Sequence, residues 1–280
     1  MSIKIALIQF WVEIDKEFLH TSKRADRMIA LAKEKGCDVV VFPEDFWFGP
    51  LDYYKEKEIR KIVERETPEI INWLCEKAET HKINIIAGSF VEKIGREYFN
   101  ICSVITDKGE IVYKYRKQRL VPYGFEREKL IPGKYLPLSF ELCGIKMGVI
   151  ICRDLFYPEF IKVLRKKGAE IVFVPSFWSK RSDDYLDHNL DYSKYKIVSE
   201  MKVVDALCEA RSFESEMAIC FVNASGRLTK GNKFDVLLGR TQICLPFFGQ
   251  IKKINKNREG LIIYEHDRNV IQDARRVYQI

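Results

Sequence analysis

The stretch Gly144-Ile145-Lys146-Met147-Gly148-Val149-Ile150-Ile151-Cys152-Arg153-Asp154-Leu155-Phe156-Tyr157-Pro158-Glu159 decides the fold class. Gly148 to Ile151 is a short, continuously apolar run with β-branched side chains, the pattern of a buried strand. Tyr157-Pro158-Glu159 opens a helix that continues through Phe160-Ile161-Lys162-Val163-Leu164, with proline where the first helical turn accepts it. Cys152 therefore falls at the carboxyl end of a strand, where open α/β sheets place their ligand sites. A tight strand-to-helix connection also lifts a side chain out of the core. Taken alone, the stretch admits a plainer role, because the chain has eight cysteines and a free cysteine packs well as a small hydrophobe.

Outward from this stretch, strand and helix patterns alternate. Ile3 to Phe10 reads as a strand, Phe18 to Lys35 as a helix ended by Gly36, and Asp38 to Phe42 as a strand that runs into Pro43-Glu44. Tyr54 to Val63 and Pro68 to His81 read as helices, and Ile83 to Phe90 as a strand. Tyr98 to Thr106 and Glu110 to Tyr115 form a predicted hairpin turned at Asp107-Lys108-Gly109. The irregular section from Lys117 to Gly133 exceeds the usual length of a connection, which marks it as functional. Further strands are predicted at Leu138 to Leu142, Glu170 to Ser176, Met217 to Asn223, Thr241 to Leu245 and Gly260 to Glu265. A helix is expected over Glu200 to Glu214, an insertion of changed composition over Phe177 to Glu200, and a charged tail from Asp267 to Ile280. The alternation gives an α/β class with antiparallel hairpins.

The chain has 280 residues, 47% hydrophobic and 12% aromatic, enough for one large core, and a single domain over 1–280 is the expectation. The cysteines are scattered without a C-x-x-C pair, which suits reduced thiols in the cytoplasm and speaks against a disulfide framework or a cysteine zinc site. His20, His81, His188 and His266 lack ligand spacing, so no metal or other cofactor is expected. No apolar run approaches membrane-spanning length, and the amino terminus enters a strand without a signal-peptide layout. The net charge is +7. Its basic clusters (114–119, 165–167, 252–258) are short and carry no nucleic-acid motif, so they read as solvated faces.

Three ionisable residues stand at strand ends or in the irregular section: Glu44, Lys117 and Cys152. With their neighbours they match a family pattern. Val41-Phe42-Pro43-Glu44 is a strand ending in glutamate; Tyr115-Arg116-Lys117-Gln118-Arg119-Leu120 has an aromatic residue two before a lysine and a leucine three after. Cys152 has Asp154 two residues on and Pro158-Glu159 beyond, and Glu126 lies six residues before Pro132-Gly133. Weaker matches are Ala210-Arg211 with Glu214, Asn223 with Gly226, and Gly239 ahead of Pro246-Phe247-Phe248-Gly249. On these residues the chain resembles the carbon–nitrogen hydrolases of the nitrilase superfamily, over essentially its whole length.

The resemblance implies a four-layer α-β-β-α sandwich that assembles as a homodimer or higher homo-oligomer, with the carboxyl-terminal tail at the contact. It implies Glu44 as general base, Cys152 as nucleophile forming a thioester, Lys117 with the Arg153 N–H as oxyanion donors, and Glu126 as the holder of Lys117. A thiol is only a few per cent ionised at neutral pH, so it needs such a base or cation. The nitrile-cleaving branch typically shows Trp-Glu after the cysteine; Arg153-Asp154 here favours small amides or N-carbamoyl compounds. Arg153, Phe177 and Trp178 are expected to bind substrate. A thioester acyltransferase and a catalytically silent binding protein on the same fold are the alternatives.

Overall fold

The computed structural model describes residues 2–179, 200–231 and 233–280, so most of the Phe177 to Glu200 insertion lies outside the described residues. Two sheets are built from strands that the chain supplies in two blocks. The first block gives β1 (Ile3–Gln9), β2 (Val39–Val41), β3 (Asn84–Ile86), β4 (Phe90–Ile94), β5 (Glu97–Ile105) and β6 (Ile111–Arg116). The second gives β7 (Phe140–Leu142), β8 (Ile145–Val149), β9 (Ile171–Ser176), β10 (Ala218–Asn223), β13 (Gln242–Leu245) and β14 (Gly249–Lys253), with a separate ribbon of β11 (Arg227–Lys230) and β12 (Lys233–Val236). Finally β15 (Gly260–His266) returns to the first sheet and pairs antiparallel with β1, Ile3 opposite His266. Strand order in the first sheet is β15-β1-β2-β3-β5-β4, with β6 on β5; in the second it is β14-β13-β10-β9-β8-β7. Within each, three central strands run parallel, β1-β2-β3 and β8-β9-β10. Their carboxyl ends are therefore gathered on one side of each sheet.

Alternation along β1 shows the layering. Ile3, Ile5 and Leu7 pack with Met147, Val149 and Phe173 of the second sheet. Ala6, Ile8 and Phe10 face the other way, onto helices. A period of two sends alternate side chains to opposite faces, so both faces of this strand are covered. The helices on that side are α1 (Phe18–Glu34), which buries Ala25, Met28, Ile29 and Ala32 along one stripe, and α3 (Thr67–His81), which buries Ile70, Ile71, Leu74 and Ala78. Before α3 runs a short helix, α2 (Glu56–Lys61), joined to it by a π-helical segment, Ile62–Glu66. Outside the second sheet lie α5 (Pro158–Lys166) and α6 (Glu200–Ser215), with Ile161, Leu164, Val204 and Cys208 buried. The result is a four-layer α-β-β-α sandwich, as the resemblance implied.

Gly148 explains the close seat of α5. A Cβ at this position would lie 2.5 Å from Leu164 Cδ1, nearer than van der Waals contact allows, so any larger residue would displace the Leu164 side chain from its seat on β8. The section from Lys117 to Gly133 holds a short helix, α4 (Gly124–Lys129). The charged tail is also helical: α7 (Arg268–Tyr278) buries Ile271 and Ala274, and Asp267 caps it by accepting from Asn269 N at 2.9 Å. Side-chain capping of this kind satisfies an amide that the first helical turn leaves without a partner.

Candidate active site

Segments that leave the carboxyl ends of strands in both sheets line one cavity. Glu44 follows β2, and its segment stays beside the chain leaving β3: Phe42 N donates to Ile86 O at 3.0 Å and Asp45 N to Ser89 O at 3.1 Å. Gly88 permits the approach, because its φ is +65° and a Cβ there would stand 2.0 Å from the Pro43 carbonyl oxygen. Lys117 follows β6 and is pinned through its backbone, N–H to Asn100 O at 2.9 Å and its carbonyl accepting from Gly133 N at 2.8 Å. Cys152 opens a tight 3-10 turn, Cys152–Phe156, after β8, and its φ of 46° lies in the left-handed region. Residues bearing a Cβ enter that region at a cost, and such positions cluster at functional sites. Arg211 of α6 braces the turn, donating from Nε to Leu155 O and from Nη2 to Phe156 O, both at 3.0 Å.

The side chains meet around one ammonium. Lys117 Nζ donates to Glu44 Oε1 at 2.9 Å and to Glu126 Oε1 at 2.6 Å. Lys117 is 1% exposed and Glu44 2%, so this is a buried ion cluster in which each charge depends on the others. Glu126 is held in turn from α4, its second oxygen accepting from Val121 N at 2.7 Å. Glu44 Oε2 accepts from the Phe177 N–H at 2.9 Å, which ties the Glu44 carboxylate to the segment that follows β9. The cavity, about 510 Å³, is lined by Glu44, Lys117, Glu126, Cys152 and Phe177, with Tyr54, Tyr98 and Phe125 among its aromatic walls.

Electrostatics assign the resting protonation. Burial works against the Lys117 ammonium, but the carboxylates of Glu126 and Glu44 outweigh it and hold the pKa well above that of an ordinary lysine. Burial, joined by the Glu44 charge, pushes the Cys152 thiol well above its usual value, while Lys117 and the Phe177 N–H pull it back only in part. At neutral pH the site thus holds an ammonium and a protonated thiol. A thiol in this state becomes a nucleophile only when its proton leaves as it attacks, which requires a nearby proton acceptor, and Glu44 lines the same cavity.

Five of the seven residues singled out in the sequence, Glu44, Lys117, Glu126, Cys152 and Phe177, line this one cavity. Arg153 and Trp178 are not among the lining residues. The Arg153 guanidinium donates to Leu120 O at 3.3 Å. The Trp178 indole donates to Glu200 Oε2 at 2.9 Å, and its ring lies 5.3 Å from that of Phe156. Asn223 holds the Trp178 backbone at both ends, accepting from its N–H at 2.7 Å and donating to its carbonyl at 3.1 Å. Sequence reasoning passed over Asn100, whose Nδ2 donates to Glu44 Oε1 at 2.8 Å and Glu126 Oε1 at 3.3 Å. A lone amide inside the apolar run Phe99-Asn100-Ile101-Cys102 was the available signal. Among the described residues no group of three or more His, Cys, Asp or Glu could hold a metal ion. No described helix is long and apolar enough to cross a membrane.

The fold and these gathered groups define a class: an α-β-β-α sandwich with a cysteine, a lysine and two glutamates in one cavity at its strand ends. The family model for the carbon–nitrogen hydrolases matches residues 4–276, and the chain belongs to that family, within the nitrilase superfamily. It is 26% identical over 267 residues to 2-oxoglutaramate amidase from Bacillus subtilis (strain 168), covering 95% of this chain and 92% of that one. Against the omega-amidase of Danio rerio it is 33% identical over 171 residues, 56% of this chain and 60% of that one. Among solved structures, the amidase from Nesterenkonia sp. superposes with a TM-score of 0.78 at 20% identity, covering 99% of this chain and 95% of that one. Mutants of that amidase carry the acetamide moiety of fluoroacetamide covalently added at the active-site cysteine or are in complex with butyramide.

Proposed function

We propose that this carbon–nitrogen hydrolase cleaves the C–N bond of a small linear amide or N-carbamoyl compound and releases ammonia through a thioester on Cys152. The observation that carries the reading is the buried Lys117 ammonium, bound to Glu44 Oε1 at 2.9 Å and to Glu126 Oε1 at 2.6 Å, in the cavity whose wall Cys152 shares. Base, thiol and cation are thereby brought into one cavity. Relatives that bear amidase names support the amide class.

Each step moves one proton. As the amide carbon nears Cys152, Glu44 takes the thiol proton and Sγ bonds to carbon, sending the carbonyl π electrons onto oxygen. That oxyanion faces the Lys117 ammonium and the Arg153 backbone N–H; one such donor is worth about 2.7–4 kcal/mol of barrier. Collapse breaks the C–N bond, Glu44 returns its proton to the departing nitrogen, and ammonia leaves a thioester. Water then attacks the thioester carbon while Glu44 accepts its proton; collapse breaks the C–S bond, Glu44 returns that proton to Sγ, and the acid departs with thiol and carboxylate both restored. Glu126 holds Lys117 against Glu44 throughout. The chain would act as a single domain in the cytoplasm and as a homodimer, for which light scattering on the purified protein is the check.

The test is ammonia release from matched amides, N-carbamoyl amino acids and nitriles by the wild type and Cys152→Ala, with intact mass recorded during turnover. Ammonia that requires Cys152, with a transient acyl mass on the protein, is the expected result. Ammonia release that survives in Cys152→Ala would sink the reading.

A further inference from the structure

The motif around Cys152 includes Asp154, to which the reaction above gives no part. Asp154 is fully buried, and its carboxylate accepts three hydrogen bonds from three places. Oδ2 accepts from Ile151 N at 3.1 Å and from the Tyr115 hydroxyl at 2.8 Å; Oδ1 accepts from Arg119 N at 2.8 Å. Ile151 is the residue before Cys152, whereas Tyr115 and Arg119 lie two residues either side of Lys117. One carboxylate thus ties the turn that carries the thiol, built on the second sheet, to the segment that carries the ammonium, built on the first.

We infer that Asp154 is a positioning residue: its carboxylate fixes the Lys117 ammonium relative to the Cys152 thiol, and turnover depends on that tie. The inference rests on the hydrolase reading of the site. No other side chain of similar size replaces the group. All three partners donate, and two of them are backbone N–H groups on opposite oxygens. An asparagine here sets its own NH₂ against either Ile151 N–H or Arg119 N–H, whichever way the amide is turned. A buried donor facing a donor is the costly form of an unmade hydrogen bond. Protonation of the carboxyl does the same in part, since a proton on Oδ1 meets Arg119 N–H and a proton on Oδ2 forces the Tyr115 hydroxyl to reverse. Burial raises the Asp154 pKa to about 6, against the pull of Ile151 N–H, the Tyr115 hydroxyl, Arg119 N–H and the Lys117 charge. The tie is therefore intact above about pH 6 and lost as the pH falls below it.

The experiment compares wild type, Asp154→Asn, Tyr115→Phe, Lys117→Met and the Asp154→Asn/Lys117→Met double variant. Readouts are kcat and KM for the best amide across pH 5 to 9, and the rate at which iodoacetamide alkylates Cys152, which needs no substrate. In Asp154→Asn, kcat is expected to fall at least about tenfold with KM changed less than about threefold, and the cost of removing Lys117 should shrink in that background. In Tyr115→Phe, removal of a donor that favours the ionised carboxylate moves the acid limb near pH 6 upward. This second variant keeps the carboxylate and decides the matter if Asp154→Asn does not fold. A folded Asp154→Asn with kcat within twofold of wild type, strictly additive losses with Lys117→Met, or an acid limb unmoved in Tyr115→Phe would each overturn the inference. If no amide is turned over at all, the hydrolase reading fails separately; the inference then stands or falls on whether Asp154→Asn changes the Cys152 alkylation rate at pH 8 by more than about threefold.

Discussion

Cys152 and Cys220 are two buried thiols, one just past a strand of the second sheet and one within it, and burial pushes the pKa of both upward. Cys220 sits inside β10 with Phe173 and Ile243 as its register neighbours, and the charges around it amount to another thiol, Cys244. Cys152 stands three residues beyond the end of β8, at φ 46°, on the wall of a cavity that also holds an ammonium and two carboxylates. A depressed thiol pKa at rest is therefore not what sets the candidate nucleophile apart. The difference is a proton acceptor and an opening, both absent from the interior of a strand. Five of the seven other cysteines, Cys37, Cys102, Cys208, Cys220 and Cys244, are buried as Cys152 is, so residue type and burial alone do not single it out.

The largest expected effect would break this comparison outright if it failed. Cys152→Ala should lower kcat by about 10⁴-fold or more, as removal of a nucleophile that acts as a unit with its base does. Cys220→Ala should leave kcat within about twofold and cost about 1 kcal/mol of stability, the usual scale of a single buried change. Ammonia assays and urea unfolding on both variants are the check. Next in size is Lys117→Met, which separates the cation from the thiol. It leaves Glu44 and Glu126 facing one another with no cation between them. The loss of a partner from a buried ion cluster should cost about 3–5 kcal/mol in denaturant unfolding, and the loss of an oxyanion donor about 10²–10³ in kcat. A stable Lys117→Met protein would mean that the two carboxylates share a proton in place of the ammonium.

How far the sequence carries these conclusions differs between fold and site. Long apolar runs such as Ile171–Ser176 and Ala218–Asn223 are legible because both faces of the strands are covered, so no polar alternation blurs them. The strand expected over Ile83 to Phe90 is two strands, since Gly88 at φ +65° breaks it beside Pro43. The chain continues into the hairpin of β4 and β5, whose charged outer ends resemble a surface loop. At six residues α4 is too short to show a helical period. The run of charge in α7 conceals a stripe of only two buried residues, Ile271 and Ala274. In the site, Glu44, Lys117, Glu126 and Cys152 are legible because their spacing to prolines, aromatics and glycines is set by the strand ends that hold them. Where Arg153 and Trp178 point is not legible, because side-chain direction answers to partners distant in sequence, Leu120 and Glu200. The bond from Phe177 N–H to Glu44 is likewise hidden, since a backbone donor leaves no mark on residue identity.

The smallest effect sharpens the comparison between the thiols by titrating them. Alkylation by iodoacetamide proceeds through the thiolate, and Cys143 is exposed whereas Cys152 and Cys220 are buried. Site-resolved mass spectrometry of the free enzyme should show Cys143 modified first, Cys152 slowly and Cys220 not at all in the native state. Because burial and the Glu44 charge raise the Cys152 pKa well above the ordinary thiol value, its thiolate fraction is small at pH 7 and grows as the pH rises. The alkylation rate should therefore climb by up to about tenfold per pH unit and still be rising above pH 9. A rate that levels off below pH 8 would mean that Lys117 and the Phe177 N–H outweigh burial, so that the resting site already holds a thiolate. Glu44 would then be needed for water activation alone, and its Gln variant should accumulate the acyl-enzyme that the protonated-thiol site would be slow to form.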